Sequence, residues 1–289
     1  MIPMEKQEDQ KKEIVSTGAK PIQYKGNYSV IQANDLVRSR QDELTLLEAK
    51  IIRLAIAQVL KDDTDLKTYK ISVLRLAEFL GISSKNIYKE FQSIGDSLLK
   101  KIIRIKKRDK NGNETKNYEK FHWIDYIEYK DGEITIKLSE HLKPYLVGLD
   151  ELFTSYRYAE IIRLPTNYAI RLYELLISYS NIQYRQPYPQ FIYGNIQLEK
   201  NEAIFTIDYL REYFNCEKKY PNTGDFIKRV ISAAVEDINR NTVFPCSYRL
   251  IREHKKIVYV IFKLGDWNNE AGKEVLERIL LKQGEADGR

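Results

Sequence analysis

The feature that most constrains this 289-residue chain is that it repeats itself. Ile71, Val73, Leu76, Glu78, Phe79 and Leu80 of "ISVLRLAEFLGI" lie over Phe205, Ile207, Leu210, Glu212, Tyr213 and Phe214 of "FTIDYLREYFNC" at a constant offset. Further on, Phe91, Ile94, Leu98 and Ile102 lie over Ile227, Val230, Ala234 and Ile238, with two residues gained between the blocks. Solenoid repeats are short, about 20 to 50 residues, so a repeat this long means duplicated domains. Each half must then fold into the same order of elements.

The periodicity supplies that order. In "NDLVRSRQDELTLLEAKIIRLAIAQVL" the residues Leu44, Leu47, Ile51, Leu54 and Ala55 recur at spacings of three and four, which predicts a helix over about 43 to 60. "YKISVLRLAEFLGIS" reads as a short alternating strand and then a helix stopped near Gly81. The next helix has a cap candidate at Ser83 or Ser84 and buries Ile87, Phe91, Ile94, Leu98 and Ile102. Beyond it the period becomes alternating, with "KNGN" and "KDGE" as hairpin turns between "IIRIKKRD", "NYEKFHWIDYIEY" and "ITIKLS".

The second half runs in parallel. "RLPTNYAIRLYELLISYS" is a helix with Pro165 near its start and a spine formed by Leu164, Ile170, Leu172, Leu175 and Leu176; its Tyr and Arg suggest an outward face, but they are read as packing and orienting the helix rather than touching a base. "GDFIKRVISAAVEDINRN" is a helix over 225 to 241, and "CSYRLIREHKKIVYVIFKL" is a second hairpin. Three helices and a β-hairpin are the layout of a winged-helix domain, in which the third helix can enter a DNA major groove. The expected fold is therefore α+β, two tandem winged-helix domains related by internal duplication. The expected boundaries are a disordered tail over 1–24, domains over 25–150 and 151–265, and a C-terminal tail over 266–289 with Val275, Leu276, Ile279 and Leu280 as an amphipathic segment. The same topology also serves in protein docking modules, since fold does not fix function.

Charge and cysteine narrow the setting. No apolar run approaches the roughly 20 residues of a membrane helix, and the opening residues lack the apolar core of a secretory signal. Cys216 and Cys246 stand far apart without a second pair, so neither a disulfide framework nor a zinc site is expected and a cytoplasmic setting fits. The net charge of +6 permits a nucleic-acid partner without requiring one.

Where the charge falls says more. In the helix after Gly224, apolar residues take one side and leave Asp225, Lys228, Arg229, Ser232 and Glu236 on the other, with Lys228 and Arg229 in the first turns. The loop before it adds Lys218, Lys219, Tyr220, Asn222 and Thr223 beside a helix N-terminus, whose free N–H groups attract phosphate. In the first half the corresponding helix offers Lys85, Asn86 and Lys89, and the hairpin offers Lys106, Lys107, Arg108 and Lys110 for backbone contact. Lys255 and Lys256 repeat that pattern on the second hairpin. Each set also fits a plain solvated face or a charged edge strand.

Catalytic constellations are not expected. His122, His141 and His254 are too far apart in sequence to supply the paired metal ligands of a nickase, and no phosphate-binding G-x-x-x-x-G-K-[ST] loop occurs. No enzyme activity and no cofactor are expected, with an origin-nicking enzyme kept as a remote alternative.

"LPTNYAIRLYELLISYS" together with "KKYPNTGDFIKRVISAAVEDINRNT" resembles the iteron-binding plasmid replication initiator (Rep) proteins, and the segment from Asn34 is similar to that family's first helix. The resemblance spans about residues 29 to 265. It implies an initiator that binds direct repeats, the iterons, in double-stranded origin DNA, helps open an adjacent A/T-rich segment, recruits host initiator, helicase or primase proteins, and represses its own promoter. It also implies a homodimer in equilibrium with monomer, the first domain mediating dimerisation and contacting DNA and the second making the principal base contacts. On that pattern Asn222, Thr223, Lys228 and Arg229 form the reading surface, while Gly224 and Asp225 leave the helix cap open. A winged-helix transcriptional repressor is the alternative.

Overall fold

The computed structural model describes residues 20–21, 28–81, 87–109, 114–183, 192–193, 196–199, 201–265 and 273. The first half runs β1 (Lys20–Pro21), β2 (Ser29–Ala33), α1 (Asn34–Arg38), β3 (Arg40–Gln41), α2 (Leu46–Ile56), β4 (Thr68–Ser72), α3 (Val73–Leu80) and α4 (Ile87–Leu98). Four strands follow: β5 (Ile102–Arg108), β6 (Glu114–His122), β7 (Ile124–Lys130) and β8 (Glu133–Leu138). The second half holds α5 (Lys143–Leu146), β9 (Phe153–Arg157), α6 (Tyr158–Arg163), α7 (Asn167–Gln183), β10 (Ile192–Tyr193), β11 (Ile196–Gln197), β12 (Glu202–Thr206) and α8 (Ile207–Tyr213). A single helix over 223–241 then comprises α9 (Thr223–Phe226), a π-helical turn at Ile227–Ser232 and α10 (Ala233–Asn241), before β13 (Cys246–Glu253) and β14 (Lys256–Leu264).

The duplication is real in three dimensions. The sheets β4-β8-β7 and β12-β14-β13 have the same strand order, and each is fed by the same sequence of helices. It reaches the helix caps: the Ser72 side chain accepts from the Arg75 N–H to start α3, and that of Thr206 accepts from the Tyr209 N–H to start α8. α3 ends where expected, on Gly81 with φ 66°, a left-handed position that glycine takes without strain. α2 starts at Leu46 rather than near 43. The Thr45 hydroxyl accepts from the Glu48 N–H at 3.2 Å while the Glu48 carboxylate accepts from the Thr45 N–H at 2.7 Å, a reciprocal box that sets the boundary.

Three expectations are corrected. Ile102, placed on a helix with Leu98, opens strand β5 instead, because α4 ends at Leu98. The run "NYEKFHWIDYIEY" is not one strand: Trp123 leaves both ladders, buries its ring completely and splits the run into β6 and β7. β6 pairs with β5 in a separate β3-β5-β6 sheet, and β7 pairs with β8 through a turn in which Asp131 and Gly132 both have positive φ. The hairpin β5–β6 is thus an insertion of the first half, and its wing is β7–β8. The third correction concerns 1–24: Lys20 and Pro21 pair in parallel with Tyr69 and Lys70. The rest of that segment, Ser83, Ser84 and the C-terminal amphipathic segment lie outside the described residues.

The packing expected of α7 is present: every residue from Ala169 to Ser178 is buried, Arg171 and Tyr173 included, while Tyr168 and Tyr179 are half-buried. The first half covers the helix. β2 pairs with β9 from Ser29↔Arg157 to Ala33↔Phe153, a ladder that straddles the expected 150/151 boundary, and one apolar cluster runs through both halves. Inside it the Glu174 carboxylate accepts from Arg53 Nε at 2.9 Å, Arg53 Nη2 at 2.8 Å, Gln32 Nε2 at 3.1 Å and the Tyr156 hydroxyl. Arg171 donates to the Val37 and Ser39 carbonyls and stacks on Tyr213 at 4.0 Å. These polar side chains bind the halves together.

Candidate nucleic-acid interface

The candidate reading helix begins earlier than its periodicity suggests. Asn222 is its N-cap, with Oδ1 accepting from the Gly224 N–H at 2.7 Å, so the helix starts at Thr223. A side chain at position 224 would bring its Cβ to 3.1 Å from that oxygen, and glycine avoids the contact. The Asn222 carbonyl oxygen is therefore committed to the backbone.

The π-helical turn follows from the spacing of the apolar residues. Phe226, Val230, Ala234 and Ile238 recur every four residues, as do Ile227, Ile231 and Val235, and all are buried. Steps of four overshoot an α-helical turn of about 3.6 residues, so such rows would wind off the core. One wider turn cancels the drift and keeps both rows buried. The opposite side consequently stays aligned as well. Lys228, Ser232 and Glu236 form one row, and Arg229 lies beside it. Lys228 and Arg229 are exposed and, among the described residues, have no salt-bridge partner. The Ser232 hydroxyl donates to Glu236 at 3.2 Å.

The loop before the helix is held by a residue that the sequence reading passed over. Arg211 donates to the carbonyls of Cys216 at 3.2 Å, Lys219 at 3.0 Å and Tyr220 at 2.9 Å, and its guanidinium lies 4.7 Å from the Phe226 ring centre. The signal for it lay in the repeat, where Arg211 falls on the position of Ala77. Lys218 is exposed, whereas Lys219 pairs with Glu43 of the first half, a hydrogen bond that holds its ammonium above the ordinary lysine range. Tyr220, with φ 52°, packs partly against the core. Lys255 and Lys256 are exposed at the tip of β13–β14.

The first-half set is divided. Lys85, Asn86 and Lys110 lie outside the described residues, as does the side chain of Arg108; Lys89, Lys106 and Lys107 are exposed. Lys107 pairs with Glu119 at 2.7 Å. Lys106 and Lys107 sit on the inserted hairpin. The true wing, β7–β8, carries exposed Glu128, Lys130, Asp131 and Glu133, a mostly acidic end that phosphate would avoid.

Two winged helices sharing one core, with a capped, cation-bearing third helix in the second, define the class: a tandem winged-helix protein. The family can be stated as well. The family model described as "Initiator Replication protein, WH1" matches residues 29–177, and that described as "Initiator Rep protein, WH2" matches 206–264. The chain belongs to this family of plasmid replication initiators, in agreement with the resemblance of its sequence. The first match runs through most of α7, the helix sealed by the first half. No described helix is long and apolar enough to cross a membrane.

Proposed function

We propose that the protein starts plasmid replication by binding direct repeats in double-stranded origin DNA, without catalysing a reaction itself. The reading helix over 223–241 enters the major groove, Lys228 and Arg229 meet base edges and phosphates, and Lys255 and Lys256 follow the backbone. Binding strains an adjacent A/T-rich segment and gathers host replication proteins, and the same surface represses the protein's own promoter in a dimer that exchanges with monomer. The observation that carries this reading is the exposed pair Lys228 and Arg229 in the first turns of a capped helix within the WH2 match.

Gel retardation with origin repeats and with a scrambled duplex of equal length tests it. Tighter binding of the repeats, weakening with salt as phosphate contacts require, is expected. Equal affinity for the two duplexes would defeat the proposal.

A further inference from the structure

At the junction of the two halves lies a cleft of about 100 Å³, in which the cations Arg38, Arg40, Arg104 and Lys106 outnumber the carboxylates Asp35 and Glu212, with Tyr179 and Tyr213 lining it from the second half. The register of the sheet concentrates charge beside it. Arg40 faces Arg104 across β3–β5, and Arg104 faces Lys120 across β5–β6, so three cations stand in one row on one face. Like charges directly opposite each other destabilise a sheet unless something neutralises them.

Arg40 is neutralised, with Glu217 at 2.7 Å and Glu212 at 3.9 Å. Arg104 is not. Its side-chain contact is the Tyr118 ring, 5.7 Å away, which Lys120 also approaches at 5.1 Å. Its Nε is buried and, among the described residues, has no hydrogen-bond partner. Arg38, by contrast, is fixed in the wall: it stacks on Tyr179 at 4.0 Å and donates to the Ser178 carbonyl at 2.6 Å and hydroxyl at 3.1 Å.

We propose that this junction cleft is an oxyanion site that takes a phosphoryl group, with Arg104 as its principal donor. A phosphoryl group in the cleft presents acceptors to the Arg104 guanidinium, matches its planar fork and offsets the like-charged row. Because Tyr179 and Tyr213 belong to the other half, an occupied cleft ties the two winged helices together. The phosphoryl group comes either from a free phosphate or nucleotide, or from the backbone of bound DNA.

Calorimetric titration of the full chain with inorganic pyrophosphate, and separately with dAMP, distinguishes the sources. For a free ligand, saturable binding is expected in the unaltered protein. It weakens by about tenfold or more in Arg104→Gln, the loss of one charged hydrogen bond, and is partly restored in Arg104→Lys. Lys106→Gln, at an exposed position of the same cleft, weakens it too and serves if Arg104→Gln does not fold. For a DNA source, neither small ligand binds, but both variants lower duplex affinity and flatten its salt dependence. The proposal is overturned if the unaltered protein binds neither probe and the variants bind duplex normally, or if both variants bind the probes as tightly as the unaltered chain. The pyrophosphate titration involves no DNA, so its outcome stands apart from whether origin repeats are recognised.

Discussion

The side chains that decide most are those of Arg53 and Glu174, both wholly buried. Burial alone would raise the Glu174 carboxyl, but the guanidiniums of Arg53 and Arg171 and the hydrogen bonds from Arg53 and Tyr156 outweigh it and hold it below its ordinary value of 4.5. A carboxyl depressed in the folded state contributes stability that is present above its unfolded value and lost as pH falls through the folded one. Removing one partner leaves an uncompensated buried charge, so Glu174→Gln is expected to destabilise the fold by about 3 to 5 kcal/mol near neutral pH. Urea unfolding should show that difference shrinking below the ordinary carboxylate range; a gap that does not change with pH would contradict the ionised pair. On the exposed side, Arg229→Ala is expected to weaken repeat binding by about 1 to 3 kcal/mol if Arg229 reads a base, measured against the same duplex with that base changed.

Among the elements, the reading helix depends on two local devices. Gly224 and Asp225, ahead of the periodic residues, leave its cap open in the sequence, and the structure shows Asn222 Oδ1 accepting from the Gly224 N–H. Asn222→Ala is expected to cost about 1 kcal/mol of stability in thermal or denaturant unfolding, while Asn222→Asp retains most of it, a comparison that isolates the cap. The π-helical turn was within reach of the sequence, since apolar rows at a strict spacing of four cannot stay on one side of an α-helix. The inserted hairpin was not. The Asn-Gly of that hairpin and the Asp-Gly of the wing are both visible in the sequence, but nothing local says that Trp123 breaks the run between them, because that depends on the core that receives the indole.

For the molecule as a whole, the two winged helices do not separate at residue 150. A fragment ending there loses β9 from the β2–β9 ladder and leaves Arg53 without Glu174. Such a fragment is expected to show no cooperative unfolding transition, whereas one carried to residue 183, through α7, regains it; circular dichroism melts of the two fragments decide the point. By itself the sequence determined the duplication, the order of elements in each half, and the apolar and cationic sides of the reading helix, because periodicity and turn chemistry are local properties of the chain. The fold alone shows that the first half seals Arg171 against the Val37 and Ser39 carbonyls, that Lys219 pairs with Glu43, and that the basic hairpin is not the wing. Those facts depend on which distant surface arrives to cover a helix face or pair with a strand, and a polar residue carries the same letters whether water or another domain satisfies it.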